Sequence, residues 1–210
     1  MNNSTNPSAL RSKKEICDAL IRLMDQYPYS EITVKQIVLE AGVVRKTFYR
    51  NFTDKDDVLE ALLNEFIREY TTEMHSALDR SWVEVIFNFC VKNSHFAELL
   101  DRNDMLYLVL NKLNTVLPKM HDEADAMGVI PEEIFGDLDM TYIIPFNTGA
   151  MWNVVATWLH RGMVDDPKKI AADLRAYAIR LGNIATKRAA QQGAAEKPAG
   201  RSTDGRRKAR

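Results

Sequence analysis

Apolar residues return every three or four positions along most of this chain, and no strand-like alternation of useful length interrupts them. The first predicted helix opens at a Ser12-Lys13-Lys14-Glu15 capping box, buries Ile16, Ala19, Leu20, Leu23, Met24 and Tyr27 on one face, and stops at Pro28. A second capping box, Thr33 with Gln36, starts a short helix that buries Val34, Ile37, Val38 and Ala41. A third begins at about Arg45. A fourth caps at Asp54 and runs to about Leu78 through Val58, Leu59, Leu62, Leu63, Phe66, Ile67 and Tyr70. Ser81-Trp82-Val83-Glu84 caps a fifth, to about Lys92, and a short one follows near His95 to Leu100. Another spans about 104–126 with a bend at Pro118, and Gly128 and Pro131 mark a loop. Asp137 begins a long helix to about Arg161, interrupted or kinked at Pro145, with Gly162 as its C-terminal cap. Asp166-Pro167 opens the last, to about Lys187, with Ile170, Leu174, Tyr177, Ala178, Leu181 and Ile184 on one side. No internal repeat is visible. The fold class is all-α.

Composition changes this picture little. At 210 residues and 46% apolar, the chain can bury a core as one or two small domains. Charge matters more, because the net −1 hides a split: residues 1–186 hold 20 basic and 27 acidic side chains, and 187–210 hold eight and two. The segment 188–210 is rich in Gly, Ala and Arg without apolar periodicity, which predicts a disordered basic tail. It is either a non-specific arm on DNA phosphates or a solvated tail with no role. Cys17 and Cys90 lie in no metal or redox spacing and read as buried thiols in a reducing cytoplasm. MNNSTNPSAL has no apolar core for a secretory signal, and 1–10 reads as a flexible arm. Residues 140–159 carry no charge, yet Thr141, Pro145, Asn147, Thr148, Gly149, Asn153 and Thr157 argue against a membrane span. A helix buried on most sides in a dimer explains that stretch better.

Chemistry concentrates in TVKQIVLEAGVVRKTFYRNFTDK, residues 33–55. Two short helices flank a tight Ala41-Gly42-Val43 turn, and no acid stands between Val43 and Phe52. That is the outline of a helix-turn-helix, in which glycine supplies a backbone angle other residues resist and the second helix enters the major groove. Phe48 and Phe52, four apart, pin the second helix while Arg45, Lys46, Thr47, Tyr49, Arg50 and Asn51 stay polar. Arg45 and Lys46 can donate to guanine O6 and N7, and Thr47 can touch a base or a thymine methyl. An ordinary helical hairpin with a solvated basic face is the alternative.

The region from about Lys13 to Leu63 resembles the DNA-binding domain of the TetR (tetracycline repressor) family. The residues that carry the likeness are Leu23-Met24, Ile32-Thr33-Val34, Ile37 and Ala41-Gly42-Val43, followed by Lys46-Thr47-Phe48-Tyr49-Arg50-Asn51-Phe52 and Asp54-Lys55-Asp56-Asp57-Val58-Leu59. The resemblance implies a helix-turn-helix domain at 11–56, continuing into the fourth helix at 55–78. A helical effector-binding and dimerisation domain follows at 57–187. It implies base contacts from Arg45, Lys46 and Thr47 and phosphate contacts from Thr33, Tyr49 and Lys55. Arg50 and Asn51 read as further backbone contacts. Thr33 is also explained by capping alone. One departure is Val44, where the family often has a capping residue. A valine cannot accept the helix-start N–H bonds, so about 1 kcal/mol of capping is absent, and Val44 is expected instead to pack toward a base or sugar.

The same resemblance implies a cytoplasmic, ligand-responsive repressor: a homodimer on an inverted-repeat operator in double-stranded DNA, released by a small-molecule effector. Activation is an open alternative, as is an adaptor or coactivator of the same fold acting through a protein partner. Pocket candidates are Phe66, Tyr70, Met74, Phe87, Phe89, His95, Phe96, Met105, Tyr107, Met120, His121, Phe146, Asn147 and Met151, apolar and aromatic residues with a few polar groups among them. Dimer candidates are Trp152, Val154, Val155, Trp158, Leu174, Tyr177 and Leu181, with a bundle core internal to one chain as the other reading. His75, His95, His121 and His160 form no metal spacing. No phosphate loop, nucleophile elbow or paired-carboxylate signature points to an enzyme, and no cofactor is expected.

Overall fold

A computed structural model describes residues 7–76, 82–127 and 138–195. They form α1 (Pro7–Gln26), a 3-10 turn (Tyr29–Glu31), α2 (Val34–Glu40), α3 (Arg45–Asn51), α4 (Lys55–Ser76), α5 (Trp82–Lys92), α6 (Ser94–Arg102), α7 (Leu106–Ala126), α8 (Met140–His160) and α9 (Pro167–Ala195). No strand occurs among the described residues, and none of their helices is long and apolar enough to cross a membrane. The chain divides into two compact units, Met1–Asp165 and Asp166–Arg210.

In the first unit α1 packs on α2, α3, α4 and α6, and α7 lies along α8. Ile16, Ala19, Leu20, Leu23 and Met24 of α1 are buried as their spacing requires, together with Ile32, Ile37, Phe48, Phe52, Val58 and Leu59. Phe48 and Phe52 meet with ring centroids 6.1 Å apart. Arg22 Nε donates to Glu40 Oε1 at 2.5 Å and ties α1 to α2. Three helix ends in this unit share one device. After α2, Gly42 (φ +63°) lets its own N–H reach Leu39 O and that of Val43 reach Val38 O. Gly162 (φ +72°) closes α8 in the same way on Leu159 and Trp158. Asp104 (φ 55°) closes α6, with Met105 N–H on Leu100 O.

Several ends differ from the sequence expectation. Helix α1 begins at Pro7, not at Ser12, because proline suits a first turn and Ser8 to Arg11 tolerate helix; the Ser12 hydroxyl donates back to Ser8 O at 3.0 Å instead of capping. Residues 7–10 are therefore helix, not arm. Tyr27 falls past the end of α1 and is exposed, and Tyr29 takes the buried place. In α2 only Ile37 is fully buried, since a two-turn helix presents a single residue row to α1; Val34, Val38 and Ala41 are half-buried. Asp54 accepts from Asp57 N–H while Asp57 accepts from Thr53 N–H, both at 2.9 Å, a reciprocal cap for α4. Helix α8 is capped by Asp139, whose carboxylate accepts from Thr141 N–H. In the second unit Asp166 caps α9 through Lys168 N–H as expected. That helix runs past Lys187 to Ala195, through Ala and Gln, which favour helix, so the expected tail starts inside a helix. Leu78, Ser81, Gly128, Pro131, Asp137 and residues 196–210 lie outside the described residues.

Phe48 is the fully buried residue of α3, which packs on α1 and α2. Phe48→Ala should therefore cost about 3–5 kcal/mol, read as a lower denaturant midpoint.

Candidate nucleic-acid interface and interior cavity

Seven residues make α3, and burial of Phe48 with the following Phe52 decides which way the rest point. Arg45, Lys46, Tyr49 and Arg50 are exposed, and Thr47 is half-buried. The Arg45 guanidinium lies over the Tyr49 ring at 5.5 Å and donates to its hydroxyl at 3.3 Å. The result is a cationic face with a hydroxyl ordered beside it, free of acids along the whole helix. Val44 is the N-cap residue; its side chain makes no cap bond and is 68% exposed. Leu39, on α2, is also exposed.

Three of the sequence candidates are engaged inside the domain. Asn51 donates from Nδ2 to Thr47 O at 2.8 Å. Lys55 donates from Nζ to Tyr29 O at 2.7 Å and to Ser30 O at 3.3 Å, with its charge 4.5 Å from the Tyr29 ring centroid. Thr33 completes the capping box: its hydroxyl accepts from Gln36 N–H and donates to Gln36 Oε1. Lys55 has one ammonium N–H and Asn51 one amide N–H beyond these bonds.

Tyr29 was not singled out by the sequence, and every polar atom it has is used. Its N–H donates to Asn103 Oδ1 at 2.7 Å, its hydroxyl donates to Asp56 Oδ1 at 2.5 Å, and its carbonyl accepts from Lys55. Burial, and then the bond to Asp56, raise the phenol above its ordinary value. Asp25 of α1 receives His95 Nε2 at 2.9 Å and Arg102 at 3.4 Å, both from α6. Helix α6 is thus joined to the helix-turn-helix by Tyr29 and Asp25.

Between α4, α5, α6, α7 and α8 lies a cavity of about 580 Å³. Eight of the fourteen pocket candidates line it: Phe66, Tyr70, Met74, Phe89, Met120, His121, Asn147 and Met151. Six do not. Phe87 is fully buried with its ring against Trp158, centroids 5.0 Å apart. Phe96 stands behind Phe66, at 5.5 Å. His95 is held at the surface by Asp25, Met105 is the N-cap of α7, and Tyr107 and Phe146 are exposed. The sequence reading missed many aliphatic lining residues, among them Leu113, Leu117 and Ile144, which carry no signal beyond helical spacing.

Of the dimer candidates, Trp152 and Val155 line the cavity, and Val155 and Trp158 are buried, at 1% and 2% exposure. Trp158 donates from Nε1 to Asp165 O at 2.9 Å. Side chains already enclosed by their own chain have no surface left for a partner. Val154 and Leu174 are half-buried, while Tyr177 and Leu181 of α9 are exposed. Burial pushes the Cys17 thiol up to about 11 and the Cys90 thiol up to about 12, and raises Tyr70 as well. Among the described residues no cluster of His, Cys, Asp and Glu could hold a metal ion.

Residues 16–62 match the family model described as bacterial regulatory proteins, tetR family. Over 69 residues the chain is 32% identical to the HTH-type transcriptional regulator BetI of Brucella anthropi, a match covering 33% of this chain and 36% of that protein. The chain therefore matches only about a third of that curated relative's length. Three solved structures share its fold. The fatty acid degradation regulator FadR from Bacillus halodurans has 20% identity and a TM-score of 0.52, over 77% of this chain and 91% of that one. The dihydroxyacetone kinase operon activator DhaS has 19% identity and a TM-score of 0.53, over 82% and 97%. A protein of Syntrophomonas wolfei, described as a TetR-family transcriptional regulator, has 14% identity and a TM-score of 0.62, over 81% and 94%. At these identities the likeness establishes the fold alone.

Thr33→Ala removes the α2 cap and should cost about 1 kcal/mol in thermal or denaturant unfolding. The raised thiols and phenols make a second expectation. Their stabilisation is complete below the ordinary thiol value of 9.0 and is lost as pH rises through it toward about 11, because the unfolded chain ionises first. The melting temperature should fall across that window, and Cys90→Ala should flatten the fall.

Proposed function

The chain belongs to the TetR family of bacterial regulatory proteins, and we propose that it is a sequence-specific transcriptional repressor, a homodimer that binds an inverted-repeat operator and leaves it when a small effector binds. What carries this reading is α3: an acid-free cationic helix, fastened by Phe48 and Phe52, following a turn that only the Gly42 conformation makes short. A helix so presented fits the major groove, where Arg45, Lys46 and Thr47 read base edges. Tyr49, Arg50 and the Thr33 end of α2 meet phosphates, which fix register without choosing sequence. Val44, exposed and apolar beside Arg45, packs on a base or sugar.

One helix-turn-helix covers few base pairs, so a second copy is required for specificity. Exposed apolar side chains support a dimer: Tyr177, Leu181 and Ile184 fall on one face of α9, and α8 exposes Tyr142 and Phe146. The reading part is residues 11–56, and the sensing part is 57–187. The cavity is the effector site in this reading. Ala97 and Leu100 of α6 line it, and the same helix ends at Asn103, which holds Tyr29. An effector shifts operator affinity only by the difference in its own affinity for the two states. The protein works in the cytoplasm, where the operator is.

Selection of bound fragments from sheared genomic DNA, at low and near-physiological salt, is the test. A short inverted repeat that persists at higher salt is expected; binding without a motif that vanishes with salt would mean phosphate attraction only. On the selected site, Arg45→Ala or Lys46→Ala should each cost about 1–3 kcal/mol and relax preference at one position. Val44→Ser should shift sequence preference, and a gain in thermal stability alone would remove Val44 from the contact surface.

A further inference from the structure

The cavity is closed at one end and open at the other. Helices α4 and α7 both start near Tyr29, since Lys55 holds its carbonyl and Asn103, just before α7, holds its amide. Lys112 of α7 bridges to Glu60 and to Asn64 Oδ1 of α4, so the two helices rise side by side. Helix α8 returns beside α7, and its last residue His160 meets Asp101 of α6 at 2.8 Å. Ala97, Leu100, Leu106, Val109 and Leu159 line the end nearest Tyr29, and none is more than 8% exposed. The other end lies about 20 Å along α7 from Leu106, at 1.5 Å per residue. There Met74, Met120 and His121 are half-buried and Asn147 is exposed.

These ends impose different chemistry. A polar group pushed to the α6 end would lose its water and find only aliphatic side chains, which is costly. Water reaches the open end, where Tyr70, His121, Asn147 and Thr148 present a phenol, an imidazole, an amide and a hydroxyl. Donors and acceptors are both available in that set. No Lys, Arg, Asp or Glu is among the described residues that line the cavity, so no permanent charge sets the sign of a head group. A neutral, anionic or cationic head keeps its hydration at the open end.

We propose that the cavity takes the apolar chain of an amphiphile, inserted tail first until it meets α6, with the head group left at the wet end. Chain length, not head charge, then decides affinity. This rests on the effector reading above and names its ligand class. Ala97 and Leu100 of α6 form the stop against which the chain is measured.

The test needs no DNA, so its failure is separate from failure of the effector reading, which a release assay on the selected site examines. The full-length protein is titrated with primary alkanols, alkanoates and alkyltrimethylammonium ions, from hexyl to tetradecyl, each below its micelle threshold. The readout is tryptophan fluorescence, since Trp152 lines the cavity. Each added methylene should tighten binding roughly fourfold until the chain meets α6. Affinity should then level off at one chain length shared by all three heads. At equal length the heads should agree within about fivefold, the reach of a solvated charge. Ala97→Leu should move the levelling point to a shorter chain. Leu159→Phe, which fills the same end from α8, should do likewise, and melting temperature shows which variants are folded. A wider separation of the heads, affinity still rising at tetradecyl, no binding of any probe, or an unmoved levelling point in a folded variant would overturn the proposal.

Discussion

The first unit depends on how Tyr29 is satisfied. A 3-10 turn between α1 and α2 leaves backbone groups that helices would otherwise pair, and burial forbids leaving them to water. Three residues from two elements answer: Asn103 from the end of α6, and Lys55 and Asp56 from the start of α4. Each bond fixes the position of a helix end relative to the same residue. The three-helix reading domain and the helices that enclose the cavity therefore share a joint, and neither can rearrange there without unmaking a part-buried hydrogen bond. Lys55 illustrates the consequence. Two of its three ammonium N–H groups complete the joint, which leaves one to face outward.

How much of this was legible depends on whether the decisive information was local. Gly42, the Thr33–Gln36 box and the Phe48–Phe52 pair are local, each acting within a few residues, and the structure has them as the sequence pattern implies. The cavity is not local. Phe87 and Phe89 are two residues apart on α5 and look alike in sequence, yet one packs on Trp158 and the other lines the cavity against Phe66. Helical spacing tells which residues point inward and says nothing of whether the space they meet is filled. Helix α8 defeated the reading differently. Its polar residues are scattered and no charge stands between 140 and 159, so no polar stripe orients it, and Val155 and Trp158 could not be told from the exposed Tyr142 and Phe146. The start of α1 and the end of α9 were set short for a third reason: polar, helix-favouring residues extend a helix without any apolar period to announce it.

The contacts that bind α6 to the reading domain are unequal in strength. Leu99 and Leu100 are fully buried, so α6 is anchored in the core of the unit by apolar burial. Toward α1 it is held by His95 and Arg102 on Asp25, exposed pairs of a kind that contributes about 0–1 kcal/mol. The bond between Tyr29 and Asn103 adds about 1 kcal/mol more. A helix fixed firmly on one side and lightly on the other moves with its firm side. A molecule that repacks Ala97 and Leu100 would need only a few kcal/mol of preference between two states to tilt α6 against α1, within the range by which effectors couple distant sites. Such a tilt would be felt at Asn103, the end of α6 that holds the Tyr29 amide.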